Sequence, residues 1–146
     1  MNKVEFHAEE VPPPEWIPGA KKFALKVLEA LGHRNWELSV LFCNNRHIKT
    51  LNSRFRGKDE ATDVLSFPLG GRSRSGRYLA GDIAISLDAL EENARFFKVS
   101  ADEELRRLFI HGILHLSGSD HATNKEGEQM LKTQEKILAL ITERIL

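Results

Sequence analysis

Apolar residues recur along this chain with two periods, and the changes of period mark out its elements. Val4 and Phe6 alternate with polar neighbours, as do Trp36, Leu38, Val40 and Phe42, and both stretches read as strands. Between them Ala20, Phe23, Ala24, Val27, Leu28 and Leu31 recur at threes and fours, the pattern of an amphipathic helix stopped at Gly32. Asn44 or Asn45 can cap a short helix running through Phe55, with Ile48, Leu51 and Phe55 turned inward. Val64 to Phe67 reads as a buried strand ended by Pro68, and Tyr78 to Ile85 as another, with Ile83 and Ile85 on one face. Ser86 opens a helix to about Phe97.

Ser100 and Glu103 form a capping box, so the next helix starts near Ala101. Its apolar face is Leu105, Leu108, Phe109, Gly112, Ile113 and Leu116, and Gly118 ends it. A last helix, from about Asn124 to Ile145, is expected to bury Leu131, Leu138, Ile141 and Ile145. The proline-rich stretch Val11 to Pro18 and the Gly/Ser/Arg stretch Gly70 to Arg77 read as loops. This order predicts a single α+β domain over residues 1–146, with a small mixed sheet of about four strands covered by helices.

Composition narrows the class without naming a function. Apolar residues make up 41% of the chain and charged ones 29%, as in ordinary soluble domains. Basic and acidic residues balance at 21 each, which argues against coating nucleic acid by bulk charge but leaves room for a local basic patch. The stretch Arg46 to Arg77 is indeed rich in Arg and Lys. No apolar run approaches the roughly 20 residues of a membrane span. Met1 to Glu10 is acidic and lacks the pattern of a signal peptide, and Cys43 is the sole cysteine, so the expected compartment is the cytoplasm, with no membrane partner.

Candidate chemistry concentrates in H-G-I-L-H-L-S-G-S-D-H, residues 111–121. His111 and His115, four apart on a helix, project from one side and can share a cation with bonds of about 2.0–2.1 Å. After the turn that Gly118 permits, His121 can approach the same cation. The metal site is therefore expected on a helix and the turn after it. Three imidazoles favour zinc over magnesium or calcium, and three protein ligands leave a position open for water. Water there would titrate near ~7 and supply hydroxide. Set against this, a histidine pair at this spacing is often two surface residues. The third histidine beyond a helix-stopping glycine tips the balance, since half of the six histidines fall in these eleven residues. His7, His33 and His47 have no such support and read as surface or satisfied histidines.

The spacing is also that of the metzincin proteases, which place a glutamate base directly after the first histidine. Gly112 stands there instead, so peptide hydrolysis is not expected.

The motif resembles the signature of the bacterial endoribonuclease YbeY, or rRNA maturation factor, family. L-N-S-R-F-R-G-K-D-E-A-T-D-V-L-S-F-P, Leu51 to Pro68, is similar to that family's second block, and G-D-I-A-I-S, Gly81 to Ser86, to a third. One departure is Ser119, where the family usually carries an aromatic residue or histidine; it bears on local packing or substrate fit. The resemblance implies a zinc-dependent, single-strand-specific endoribonuclease with one Zn2+ per chain. It implies a role in ribosomal RNA maturation, at the small-subunit rRNA 3′ end, and in ribosome quality control. The implied partners are RNA and the small ribosomal subunit with its proteins. Carried over by position, His111, His115 and His121 bind the metal, while His111 and Arg56 are catalytic. From spacing alone Arg56 reads as a surface arginine at a helix end, favourable with the macrodipole; only the resemblance makes it functional.

Softer candidates surround these. Asp120 can orient a ligand ring or cap a turn. Asp82 can face the cleft or serve a partner, and Asp63 can hold Arg56 or cap a loop. Arg54, Lys58, Arg72, Arg74 and Arg77 are candidates for an RNA-contacting rim, against the plainer reading of solvated loop charge. Two other functions remain open from sequence: a ribosome-assembly binding factor whose metal is structural, and a metal-dependent hydrolase of another small substrate.

Overall fold

The computed structural model describes residues 1–118 and 124–146. Among these residues four strands and five helices follow in the order β1 (Lys3–Ala8), α1 (Ile17–Ala30), β2 (Trp36–Cys43), α2 (Asn45–Arg56), β3 (Val64–Pro68), β4 (Tyr78–Ser86), α3 (Leu87–Phe97), α4 (Ala101–Leu116) and α5 (Asn124–Leu140). The sheet has the order β1-β2-β4-β3. β1, β2 and β4 run parallel, and β3 pairs antiparallel to β4 at the edge. The expected α+β class and mixed four-stranded sheet are both observed.

The alternation along the strands decides which layer lies on which face. Val4, Leu38, Val40, Phe42, Ile83 and Ile85 enter the main core with α1, α4 and α5, where Phe109 of α4 meets Phe6, Phe23 and Phe42 edge-on. Cys43, Leu65 and Ala84 face the other way and pack with Ile48 of α2. Burial, with the nearby Asp88 carboxylate, pushes the Cys43 thiol up to about 12, so it carries no thiolate nucleophile at neutral pH.

Two glycines set the approach of the layers. Gly81 has φ +137° at the register shift opposite Glu37 and Leu38. A Cβ there would lie 2.2 Å from the Phe67 carbonyl oxygen, so the β3–β4 pairing requires glycine. At Gly112 a Cβ would lie 3.0 Å from Ile83 Cγ2, so the missing side chain lets α4 lie close on β4. The residue that breaks the metzincin pattern is thus a packing contact with no room for a carboxylate. Ser66 Oγ crosses the same seam and donates to the Gly112 carbonyl at 3.1 Å.

α4 starts at Ala101 with Ser100 accepting from the Glu103 N–H at 3.0 Å, as the capping box predicts. The last helix departs from expectation. It ends at Leu140 rather than near Ile145, and Leu131 is 54% exposed. The buried stripe is Met130, Gln134 and Ile137, one residue out of phase with the Leu131 reading. Ile141 and Ile145 are buried as expected but lie beyond the helix. There Asp102 Oδ1 accepts from the backbone N–H groups of Ile145 (2.6 Å) and Leu146 (3.0 Å), and Arg106 donates to the Ile141 carbonyl.

A second departure concerns Phe55. It was expected inward, yet it is 62% exposed. The buried residues of α2 are Ile48 and Asn52, while its last turn reaches the edge strand. Phe67 is the aromatic partner there, with ring centroids 5.6 Å apart and nearly edge-to-face. Most of the roughly 2 kcal/mol available from burying a phenyl ring is therefore not realised.

Candidate active site

α4 and α2 reach the same cleft from opposite sides of β3. On α4, His111 and His115 are one turn apart, with ring centroids separated by 4.7 Å and planes at 67°. Both rings line a cleft of about 350 Å3, whose other walls include Arg56, Lys58, Asp63 and Ser66. The four-residue spacing on a helix brings the imidazoles together as expected.

The His111 ring is held from α5. Its Nδ1 lies 2.8 Å from Gln134 Oε1, and Gln134 is only 5% exposed. An amide oxygen can only accept, so Nδ1 donates and the lone pair of the neutral ring rests on Nε2. The Gln134 amide nitrogen donates to Glu135, whose carboxylate takes a bidentate grip from Arg107 at 2.9 Å. This paired guanidinium holds the Glu135 carboxyl below its ordinary value, outweighing its partial burial. Sequence reading missed Gln134. Its signal is a polar residue on the apolar stripe of α5, hidden because the stripe was read one residue out of phase.

Arg56 is placed by the end of its helix. Asn44 caps the start of α2 by accepting from the His47 N–H, and Gly57 closes it in the left-handed region with φ +69°. From that last turn the guanidinium wraps over the edge strand: Nη2 donates to the Ser66 carbonyl at 2.6 Å, and Cζ lies 5.9 Å from the Phe67 ring centroid. The segment that follows is tied down by buried Asn52, whose amide donates to the Glu60 carbonyl at 2.9 Å. Among the described residues no carboxylate forms an ion pair with Arg54, Arg56 or Lys58. Arg56 and Lys58 thus reach the cleft outside any ion pair, although the Glu60 and Asp63 carboxylates line it too.

The other candidates separate. Asp63 lines the cleft, accepts from the Val64 N–H at 2.8 Å and from Asn93 at 3.0 Å, and so caps its loop rather than holding Arg56. Asn93 also donates to Glu104, a carboxyl pushed up chiefly by burial. Asp82 is not in the cleft; it accepts a short hydrogen bond from Ser39, beside Glu5, His7 and Glu37 on the sheet face away from α4. Of the basic rim, Lys58 lines the cleft and Arg54 lies over a shallower depression on α2. Arg72 and Arg77 are engaged within the β3–β4 connection and its surroundings, Arg72 with the Gly76 carbonyl and Arg77 with Glu37 and the Met1 carbonyl. Arg74 is exposed on that same connection. His121 and Asp120, with Ser119, lie outside the described residues. Among the described residues no group of three or more His, Cys, Asp or Glu side chains forms a cation site.

The donor chemistry fits a transition metal as far as it is described. Two imidazoles share one side of a helix, and one has its tautomer set by a buried acceptor, as ligating histidines generally do. Imidazoles on one wall and a guanidinium outside any ion pair on the other form a site whose chemistry suits a metal-binding protein with an anionic ligand.

Comparison with known proteins agrees and is more specific. Residues 4–142 match the family model described as Endoribonuclease YbeY. A protein of that name from Treponema pallidum is 45% identical over 143 residues, covering 95% of this chain and 89% of the relative. Another, from Borrelia turicatae, is 48% identical over 118 residues, 80% of each chain. A Thermotoga maritima protein of known solution structure superposes with a TM-score of 0.67 at 31% identity, over 92% of this chain and 86% of that one. The chain belongs to the endoribonuclease YbeY family, enzymes that hydrolyse RNA. No described helix is long and apolar enough to cross a membrane.

Proposed function

We propose that this chain is a zinc-dependent, single-strand-specific endoribonuclease acting in ribosomal RNA maturation, including the small-subunit rRNA 3′ end, and in ribosome quality control. The observation that supports it is the cleft itself, which brings His111, His115 and Arg56 to one place from helices far apart in sequence. A volume near 350 Å3 lies at the small end of ligand pockets, which run about 300–1,000 Å3, and suits one unpaired nucleotide better than a duplex.

His111, His115 and His121 would hold the zinc. A bound cation would supply Lewis acidity and lower the pKa of water. Gln134 keeps the His111 ring in the tautomer whose Nε2 can ligate. Arg56 stabilises the charge that builds on the non-bridging phosphate oxygens; its guanidinium carries five N–H groups and spends one on Ser66, leaving others for the phosphate. Lys58 adds a second cation at the same end. Cys43, buried and protonated, takes no part.

His111→Ala and Arg56→Glu are expected to reduce cleavage of a single-stranded RNA at least a hundredfold while circular dichroism and melting show a folded domain. Cleavage at the parental rate by either purified variant refutes the assignment. Atomic absorption on the parent is expected to give one zinc per chain. Binding of RNA should also weaken steeply between low and physiological salt, because the cations at the cleft act on phosphates.

A further inference from the structure

Phe55 is the apolar residue of α2 that packing leaves out, and basic residues adjoin it in the chain. It directly precedes Arg56, which lines that cleft, and Arg54 stands on its other side. It touches Phe67 edge-to-face at 5.6 Å, while the Arg56 guanidinium lies 5.9 Å from the same Phe67 ring. Phe55, Phe67 and Arg56 form one patch over the edge strand, in which Phe55, 62% exposed, adjoins basic groups that are in no ion pair among the described residues.

Apolar burial alone would turn this ring away from water. α2 does not do so, although Phe55 follows Ile48 and Leu51 at helical spacing and could have continued their stripe. An exposed aromatic ring flanked by cations outside any ion pair matches one class of ligand in both respects. Single-stranded nucleic acid offers a flat base to the ring and a phosphate to the cations at each successive residue. A protein partner would match the ring but has no need of three cations, and free phosphate would match the cations but has no need of the ring.

We infer that Phe55 is a stacking platform for an unpaired nucleobase of the RNA, beside the nucleotide whose phosphate meets Arg56. The inference rests on the ribonuclease reading above and adds a subsite to it. Because every base has a π face, the platform holds the strand without choosing its sequence. It also gives a physical basis for single-strand preference, since a base already paired and stacked within a duplex cannot lie on it.

The test uses the full chain carrying His111→Ala, so that the RNA survives, and reads fluorescence anisotropy of a labelled single-stranded 12-mer. Phe55→Leu, which keeps apolar bulk and removes the π face, is expected to weaken binding about tenfold or more. Phe55→Trp should restore it, and the melting midpoint should stay within about 3 °C in both. Oligonucleotides made abasic at each position in turn should reveal one position whose loss weakens the Phe55 protein but leaves the Phe55→Leu protein unaffected. Equal affinity of the Phe55 and Phe55→Leu proteins, as expected if the ring meets a protein instead, overturns the subsite alone. So does a Leu variant that weakens every abasic and intact strand by the same factor with a lowered melting midpoint, which marks a packing residue. A folded parent that binds no single-stranded RNA overturns the ribonuclease reading, and the subsite with it.

Discussion

At the scale of single residues, the site depends on groups that touch no substrate. Gln134 is the clearest case, a buried amide aimed at His111 Nδ1. Gln134→Leu removes the acceptor and is expected to lower zinc affinity about 10- to 100-fold, read by competition with a chromogenic chelator. Gln134→Glu keeps an acceptor at the same atom and should retain or strengthen binding; a Leu variant with parental affinity would show that the contact does not position the ring. The histidine spacing was legible in the sequence because a helix repeats every 3.6 residues and needs no tertiary knowledge to bring His111 and His115 together. Gln134 was not, because its partner lies 23 positions away on another helix. Phase was the further obstacle: Leu131 and Leu138 offered an apolar stripe almost as regular as the real one through Met130 and Ile137. For Asp63 and Asp82, sequence placed carboxylates near the right elements, but only the fold puts Asp63 in the cleft and Asp82 outside it, beside Ser39.

Among elements, the legible features were those set by local rules. The capping box at Ser100, the alternation of β2 and the stop at Gly32 all act within a few residues. Strand order was not legible, because the antiparallel placement of β3 against β4 depends on the loop between them and on the close approach at Gly81. Gly81→Ala must force both a disfavoured φ and a clash with the Phe67 carbonyl. It is expected to cost about 2–4 kcal/mol in urea denaturation and to loosen Arg56, whose hydrogen-bond partner Ser66 sits on β3. Gly112→Glu makes a sharper case. It restores the glutamate of the metzincin pattern, yet the fully buried Ile83 occupies its space. The expected result is a protein that fails to fold or loses more than about 3 kcal/mol, with no gain of peptidase activity.

For the whole molecule, the balanced charge concealed an arrangement that matters. Arg54, Arg56 and Lys58 gather at the end of α2 in no ion pair among the described residues, while Asp102 and Arg106 are consumed inside, joining α4 to the segment after α5. Burial alone would raise the Asp102 carboxyl, but the Leu146 and Ile145 N–H groups and Arg106 outweigh it and hold it below the ordinary value. A depressed carboxyl contributes stability above its unfolded pKa of about 3.9 and loses that contribution as pH falls through the folded value. Asp102→Asn is therefore expected to cost about 1–3 kcal/mol at pH 7, with the difference shrinking at pH 3 in the same denaturation assay. A last consequence follows from the grip of Arg56 on the Ser66 carbonyl. β3 is the sheet's outer strand, and an uncovered outer strand invites another chain to zip onto it. The guanidinium blunts that rim, so Arg56→Ala should leave a protein that is not only slow but sticky, tending to self-associate as its concentration rises. Light scattering alongside the kinetics would tell lost chemistry from lost solubility.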